Sequence, residues 1–282
     1  MLKFDVIVGN PPFQPPTTRT GGIGSGAKIW QKFVEIGFKI LNDDGWFAFV
    51  TPFNWRMGKS RMIKDAQELM WNNNIIDVQP ANKYFSVGGN IAIDYWIITK
   101  DKDVKGIEIN PILKENRLYF LADKETFLEF IQDQKKSEDN FILNAGFNDE
   151  RRYDSIKKSK KGDDIHKYPH LNTMSQYNNG YYDWYSEKTK GFDNPKVLVS
   201  DSGNLNDFVL FDNGQIGGGH HTGIFLVDSK EEGKKLENFL KHSKIIKNII
   251  KNTSGGGFGL NLSFIRKIPK SWVERFNNGE DL

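Results

Sequence analysis

Asn10-Pro11-Pro12-Phe13 follows directly on the apolar run Phe4-Asp5-Val6-Ile7-Val8-Gly9. The run predicts a short buried strand, stopped at Gly9 because the prolines that follow cannot donate to a β-ladder. Asn10 precedes a proline and is pushed towards extended geometry, while Pro11 and Pro12 have fixed φ and no N–H. The product is a stiff turn at the carboxyl end of a strand. It presents one side-chain amide, one uncommitted backbone carbonyl and one aromatic ring. An exocyclic amine on a heteroaromatic ring is a poor nucleophile, because its lone pair is delocalised into the ring. Two acceptors aimed at its two N–H hydrogens, the Asn10 Oδ1 and the Pro11 carbonyl, favour a pyramidal nitrogen whose lone pair faces an electrophile. Phe13 then offers a face for a base taken out of a duplex. The competing reading is a proline-rich turn that only closes a strand.

These residues resemble the catalytic motif of the S-adenosylmethionine-dependent amino-methyltransferases, most closely the adenine-N6 DNA methylases of the restriction-modification type. The same tetrapeptide occurs in methylases of protein glutamine and of RNA guanine, so the rest of the chain must decide the substrate.

Stepping outward, Thr17 to Gly26 is polar and carries Gly21, Gly22, Gly24 and Gly26. It is either a mobile segment over the site or an inert linker. Trp30, Phe33, Val34, Gly37 and Leu41 recur at helical spacing, Asn42-Asp43-Asp44-Gly45 stops that helix, and Trp46 to Val50 reads as the next buried strand. A second amphipathic helix is expected from about Lys59 to Trp71, then strands at Ile75 to Val78 and Ile91 to Thr99. This order predicts a mostly parallel α/β half-sheet closed by an antiparallel edge. The stretch from Leu41 to Pro52, and Tyr84-Phe85 leading into Ile91 to Ile98, are similar to the strands that follow the catalytic loop in the family. The resemblance implies a partial Rossmann-like methyltransferase sheet, the catalytic half, over residues 1–105.

In the family, S-adenosylmethionine is held by an earlier half: a strand, a Gly-rich turn, a helix, and an acidic residue after the next strand. Only Met1, Leu2 and Lys3 precede the catalytic strand here, so the expectation is that no upstream cofactor site exists in this chain. Gly217-Gly218-Gly219 leads into a strand, and the cluster Gly255 to Gly259 follows a helix. Neither has the strand-turn-helix context that a cofactor turn needs. The cofactor-binding residues are therefore left unassigned, and a separate subunit supplying that half is expected. Removing the first strands also exposes one edge and one face of an apolar sheet.

Residues 106–282 read as a mixed α+β target-recognition region, with charged linkers around 132–170. Tyr181, Tyr182 and Trp184, among Tyr177, Tyr185, Asn178, Asn179 and Gly180, suit stacking on bases and polar edge reading; they equally suit the core of a small domain. Glu231 to Lys251 reads as one long helix with Lys241, Lys244, Lys247 and Lys251 along a stripe. That stripe either follows a phosphate backbone, with Lys244 and Lys247 central, or is a solvated face. Leu236 to Leu240, Asn252 to Gly255 and Leu260 to Pro269 look like the target-recognition region of the same methylases.

Composition sets the bounds. A chain of 282 residues with 38% hydrophobic content can bury a real core. Its net charge of +3 lies wholly beyond residue 140, where 21 Lys and Arg face 18 Asp and Glu. Nucleic acid is permitted by this balance and not demanded. Zero cysteines exclude disulfides and thiolate metal sites, and the five histidines lack zinc spacing. With neither an apolar run of membrane length nor a signal pattern, a soluble cytoplasmic protein is expected. The resemblance thus implies a site-specific DNA adenine-N6 methyltransferase acting on double-stranded DNA with S-adenosylmethionine. The alternative is a non-catalytic DNA-binding or specificity subunit, or an inactive methylase remnant.

Overall fold

Strands β1 (Phe4–Gly9) and β2 (Leu41–Pro52) lie side by side as a parallel pair, with Gly9 opposite Phe49. The structure, a computed structural model, describes residues 2–13, 29–56, 61–84, 92–115, 124–145, 158–201, 207–219, 221–253, 260 and 262–282. The chain divides into two compact units, Met1–Ala122 and Asp123–Leu282. Both mix helices with sheets. The segment Thr17 to Gly26 and the cluster Gly255 to Gly259 lie outside the described residues.

In the first unit the strand order is β1-β2-β4-β3, with β3 at Asn74–Pro80 and β4 at Ile93–Thr99. β4 runs antiparallel to both neighbours, so the reversed strand sits inside the sheet and not at its edge as expected. Backbone pairing explains the correction. β4 bonds β2 along one edge and β3 along the other, while Ile93, Trp96 and Ile98 are buried and the Trp96 Nε1 donates to Thr51 Oγ1 at 2.9 Å. Helices α1 (Trp30–Ile40) and α2 (Arg61–Trp71) supply Trp30, Val34, Phe38, Ile63, Ala66 and Met70 to one core with Phe47, Phe49 and Trp96. Ile7 packs on that core.

The alternate residues of β1 do not. Leu2, Phe4, Val6 and Val8 are 76%, 42%, 60% and 75% exposed, and Trp46, opposite Val6, is 36% exposed. Among the described residues β1 pairs with β2 alone, which leaves its second edge open.

Beyond β2 the turn Phe53–Arg56 is clamped. The Arg56 Nε donates to Asp94 Oδ2 at 2.6 Å and its terminal nitrogen donates to Oδ1, with both side chains almost fully buried. The Gln67 Nε2 donates to the Trp55 carbonyl at 2.7 Å and ties α2 to the same turn. Burial pushes the Asp94 carboxyl up to about 6, against the opposing pull of Arg56.

In the second unit, α4 (Lys124–Lys136) ends and β5 (Asn140–Ala145) lies within the amino-terminal part of the stretch expected to be a charged linker. A five-residue helix, α3 (Pro111–Glu115), precedes them in the first unit. β5 lies inside an antiparallel sheet with β9 (Pro195–Ser200), β10 (Val209–Asn213), β12 (Thr222–Leu226) and β13 (Lys267–Pro269), in the order β10-β9-β12-β5-β13. The long helix expected over Glu231 to Lys251 is two, α6 (Lys230–His242) and α7 (Lys244–Thr253). Ser243 divides them: it is extended and buried, and its Oγ accepts from the Ile246 N–H at 3.3 Å, the bond of an N-cap. Helix α8 (Lys270–Asn277) closes the unit, its Trp272 edge-on to Phe130 at 5.1 Å.

A smaller sheet orders β6 (Lys158–Ser159), β7 (Tyr168–Leu171), β8 (Asp183–Tyr185) and β11 (Gly217–Gly218) as β11-β7-β8-β6. His170 is buried in it. Its Nδ1 donates to the Tyr168 carbonyl at 2.9 Å, and its ring meets Tyr185 and Phe192 at 4.8 and 5.5 Å. Burial pulls its pKa down to about 4.

Two stability predictions follow from these buried groups. Arg56→Met strands a buried carboxylate and is expected to cost about 3–5 kcal/mol at pH 8, read from denaturant midpoints. Losing Arg56 raises the Asp94 pKa further above its unfolded value. The native state then holds the extra proton, stability falls as pH rises, and the variant's deficit is smaller at pH 5. Equal deficits at both pH values would contradict the assignment. His170 behaves oppositely. With a folded value below the unfolded 6.5, its neutral form contributes stability that is lost as pH falls from 6.5 towards 4, up to about 3 kcal/mol. His170→Phe should flatten that part of the pH–stability curve; a curve with the wild-type slope would refute the role.

Candidate functional site

Close packing fixes where the Asn10 loop begins. A Cβ on Gly9 would stand 2.8 Å from the Phe49 ring, so the strand ends on a residue with no side chain. Asn10 is exposed, Pro11 is buried and Pro12 is exposed. Among the described residues none bonds the Asn10 amide or donates to the Pro11 carbonyl. Phe13 is half-buried against the core, and its carbonyl accepts the Ile29 N–H at 3.3 Å. That bond pins the far end of the loop to the start of α1.

Because β1 and β2 are parallel, their carboxyl ends share one edge of the sheet, the edge where open α/β sheets bind ligands. Three polar atoms near it were not legible beforehand. Trp30 Nε1 and Gln31 Nε2, in the first turn of α1, and Asn54 Oδ1, in the turn after β2, are buried without a partner among the described residues. A helix glutamine and a turn asparagine carry no sequence signal that distinguishes them from surface residues.

The glycines of Gly217-Gly218-Gly219 do not fit a methyl donor. Gly217 and Gly218 form β11 and run into β12, and a Cβ on Gly217 would lie 2.1 Å from the His170 ring. Those glycines make room for packing; they do not line an open cradle. Among the described residues no group of three His, Asp or Glu could hold a metal, and no helix is long and apolar enough to cross a membrane.

The nucleic-acid candidates are dispersed. Tyr182 is half-buried and lines a cleft with Tyr177, which a capping box at Thr173 and Gln176 holds on α5 (Met174–Asn178). Tyr181 is 48% exposed just before β8, whereas Trp184, within β8, covers Gly162. Lys244 and Lys247 sit on α7 and line no part of that cleft. The stripe to which they were assigned is broken at Ser243, and Lys241 and Lys244 are ion-paired with Glu237 and Asp281. Lys230, Lys234, Asn213 and Gln215 line the cleft, and no motif or periodicity in the sequence marks them.

Comparison with known proteins places these observations. Residues 1–84 match the family described as Eco57I restriction-modification methylase. A curated relative, an uncharacterized adenine-specific methylase of Mycoplasma pneumoniae (strain ATCC 29342 / M129 / Subtype 1), is 30% identical over 86 residues, covering 30% of this chain and 19% of that protein. The chain therefore spans about a fifth of the length of that relative. Among solved structures, the type IIL restriction-modification enzyme MmeI in complex with DNA aligns over 92% of this chain and 45% of its own, at 13% identity and a TM-score of 0.49. The type IIG restriction endonuclease BpuSI aligns over 97% and 49%, at 10% identity and a TM-score of 0.33. The amino-terminal residues, those that carry the Asn10 loop, are distantly homologous to adenine-specific methylases of restriction-modification systems.

Proposed function

We propose that this chain is the amine-activating and DNA-recognition part of a site-specific adenine-N6 DNA methyltransferase. The observation that carries the reading is the exposed Asn10 in a proline-stiffened loop at the carboxyl end of a parallel strand. A flipped adenine would donate its two N6 hydrogens to Asn10 Oδ1 and the Pro11 carbonyl. The prolines fix the Pro11 carbonyl before the substrate arrives, and the exposed Asn10 amide would turn to meet the second hydrogen, so that the two acceptors stabilise the pyramidal nitrogen. The half-buried Phe13 ring would stack on the base. S-adenosylmethionine supplies the methyl group.

The second half of the proposal concerns what covers β1. Parallel sheets are buried on both faces, yet Leu2, Phe4, Val6 and Val8 are wet and the outer edge of β1 has no partner strand among the described residues. A separate subunit carrying the cofactor-binding half would add a strand to that edge and cover that face. Covering four such side chains is worth on the order of 5 kcal/mol. The second unit would read the double-stranded target.

The test is made in cells that carry the intact gene. Their DNA is expected to hold N6-methyladenine in one sequence context, read by single-molecule sequencing. Asn10→Ala should lower it by about a hundredfold or more, in line with loss of one preorganised transition-state contact. Methylation that survives the substitution undiminished would sink the role given to Asn10.

A further inference from the structure

In the second unit a cleft of about 390 Å³ lies between α5, the turn after β10 and the start of α6. Its walls carry three kinds of group. Tyr177 and Tyr182 supply rings, Asn213 and Gln215 supply amides, and Lys230 and Lys234 supply cations. The volume falls in the range of small-ligand sites, roughly 300–1,000 Å³, and accommodates one nucleotide.

The turn that holds the two amides is built rigidly. Asp212 is buried beneath it, paired to the buried Lys196 at 2.7 Å. The Asp212 carboxylate also accepts the backbone N–H groups of Gly214, Gln215 and Ile216 at 3.0, 3.0 and 3.2 Å. Asn213 and Gln215 are therefore exposed side chains on a fixed backbone, the arrangement that a recognition edge requires. Tyr182 is half-buried, and burial raises its pKa, which keeps the hydroxyl a donor. The charges are unequal. Lys196 neutralises Asp212, and Lys234 bonds Glu237 at 2.7 Å, which leaves Lys230, exposed at the start of α6, as the cation most available to an anion.

Rings for stacking, amides for a donor–acceptor edge and a cation at the rim match an aromatic base that carries a phosphate. We propose that this cleft reads one nucleotide drawn out of the stack of the DNA target, with the base against Tyr177 and Tyr182, its edge on Asn213 and Gln215, and its phosphate on Lys230. The inference rests on the reading of this chain as a DNA methyltransferase, and it names the residues that set the target sequence.

The test uses the full chain and a randomised duplex pool, with bound sequences recovered and affinities measured by fluorescence anisotropy. The wild-type chain should enrich a sequence. The double variant Asn213→Ala, Gln215→Ala should relax at least one position of it, with discrimination there falling about tenfold, and with an unchanged melting temperature because both residues are exposed. Lys230→Ala should weaken binding to all sequences alike and make the salt dependence shallower by about one phosphate contact. Variants with wild-type affinity and wild-type sequence preference would overturn the cleft assignment and leave the methyltransferase reading standing. A wild-type chain that binds no duplex would overturn the assignment of the second unit to DNA as well. Mononucleotides that occupy the cleft while duplex DNA does not would make it a free-nucleotide site, and the proposal would then be wrong.

Discussion

The parallel contact between β1 and β2 is the constraint on which the first unit depends. It brings Gly9 against the Phe49 ring at a distance that no side chain could share, and it sets both carboxyl ends on one edge of the sheet. The loop from Asn10 to Phe13 inherits its position from that contact at one end and from the Phe13–Ile29 hydrogen bond at the other. Between these two anchors the prolines remove the freedom that the backbone would otherwise keep. The same pairing uses only one edge of β1. A strand whose Ile7 packs on the core while Phe4, Val6 and Val8 stay wet has the physical chemistry of half of a larger sheet.

What could be read from the sequence was whatever rests on local chemistry. Gly9 through Phe13 announce a stiff polar turn because glycine and proline act through their own backbone, and the strand before it and the helix at Trp30 follow from apolar periodicity. The position of β4 was not legible. Its alternating pattern suits either an edge or a centre, and only the ladders to β2 on one side and β3 on the other decide between them. The helix break at Ser243 was missed for a related reason: apolar spacing continues through it, while a serine hydroxyl offers the chain another hydrogen bond. The charge of the stretch around 132–170 suits exposed loop and helix end alike, and what its residues bond is set elsewhere in the chain. In the structure Lys135 and Lys136 end α4, the Gln134 amide reaches the Phe264 carbonyl at 2.7 Å, and Asp139 lies 3.5 Å from the Lys270 ammonium.

The candidate recognition residues show the same division. Tyr182 was legible as part of an aromatic cluster, but Asn213, Gln215 and Lys230 are far from it in sequence and become its neighbours only through β10 and α6. The basic stripe is divided between two helices, and ion pairing is a tertiary property: Lys241 on α6 pairs with Glu237, whereas Lys244 and Lys247 lie together on α7, Lys244 exposed beside Asp281.

The central proposal is that the Asn10 loop activates the target amine while the methyl donor is held by residues outside these 282 that complete the sheet beside β1. Isothermal titration of S-adenosylmethionine into the purified chain, alone and with duplex DNA, tests it most directly. The account predicts no saturable binding in either case. Stoichiometric binding by the chain alone would contradict it, because the donor site would then lie within these 282 residues.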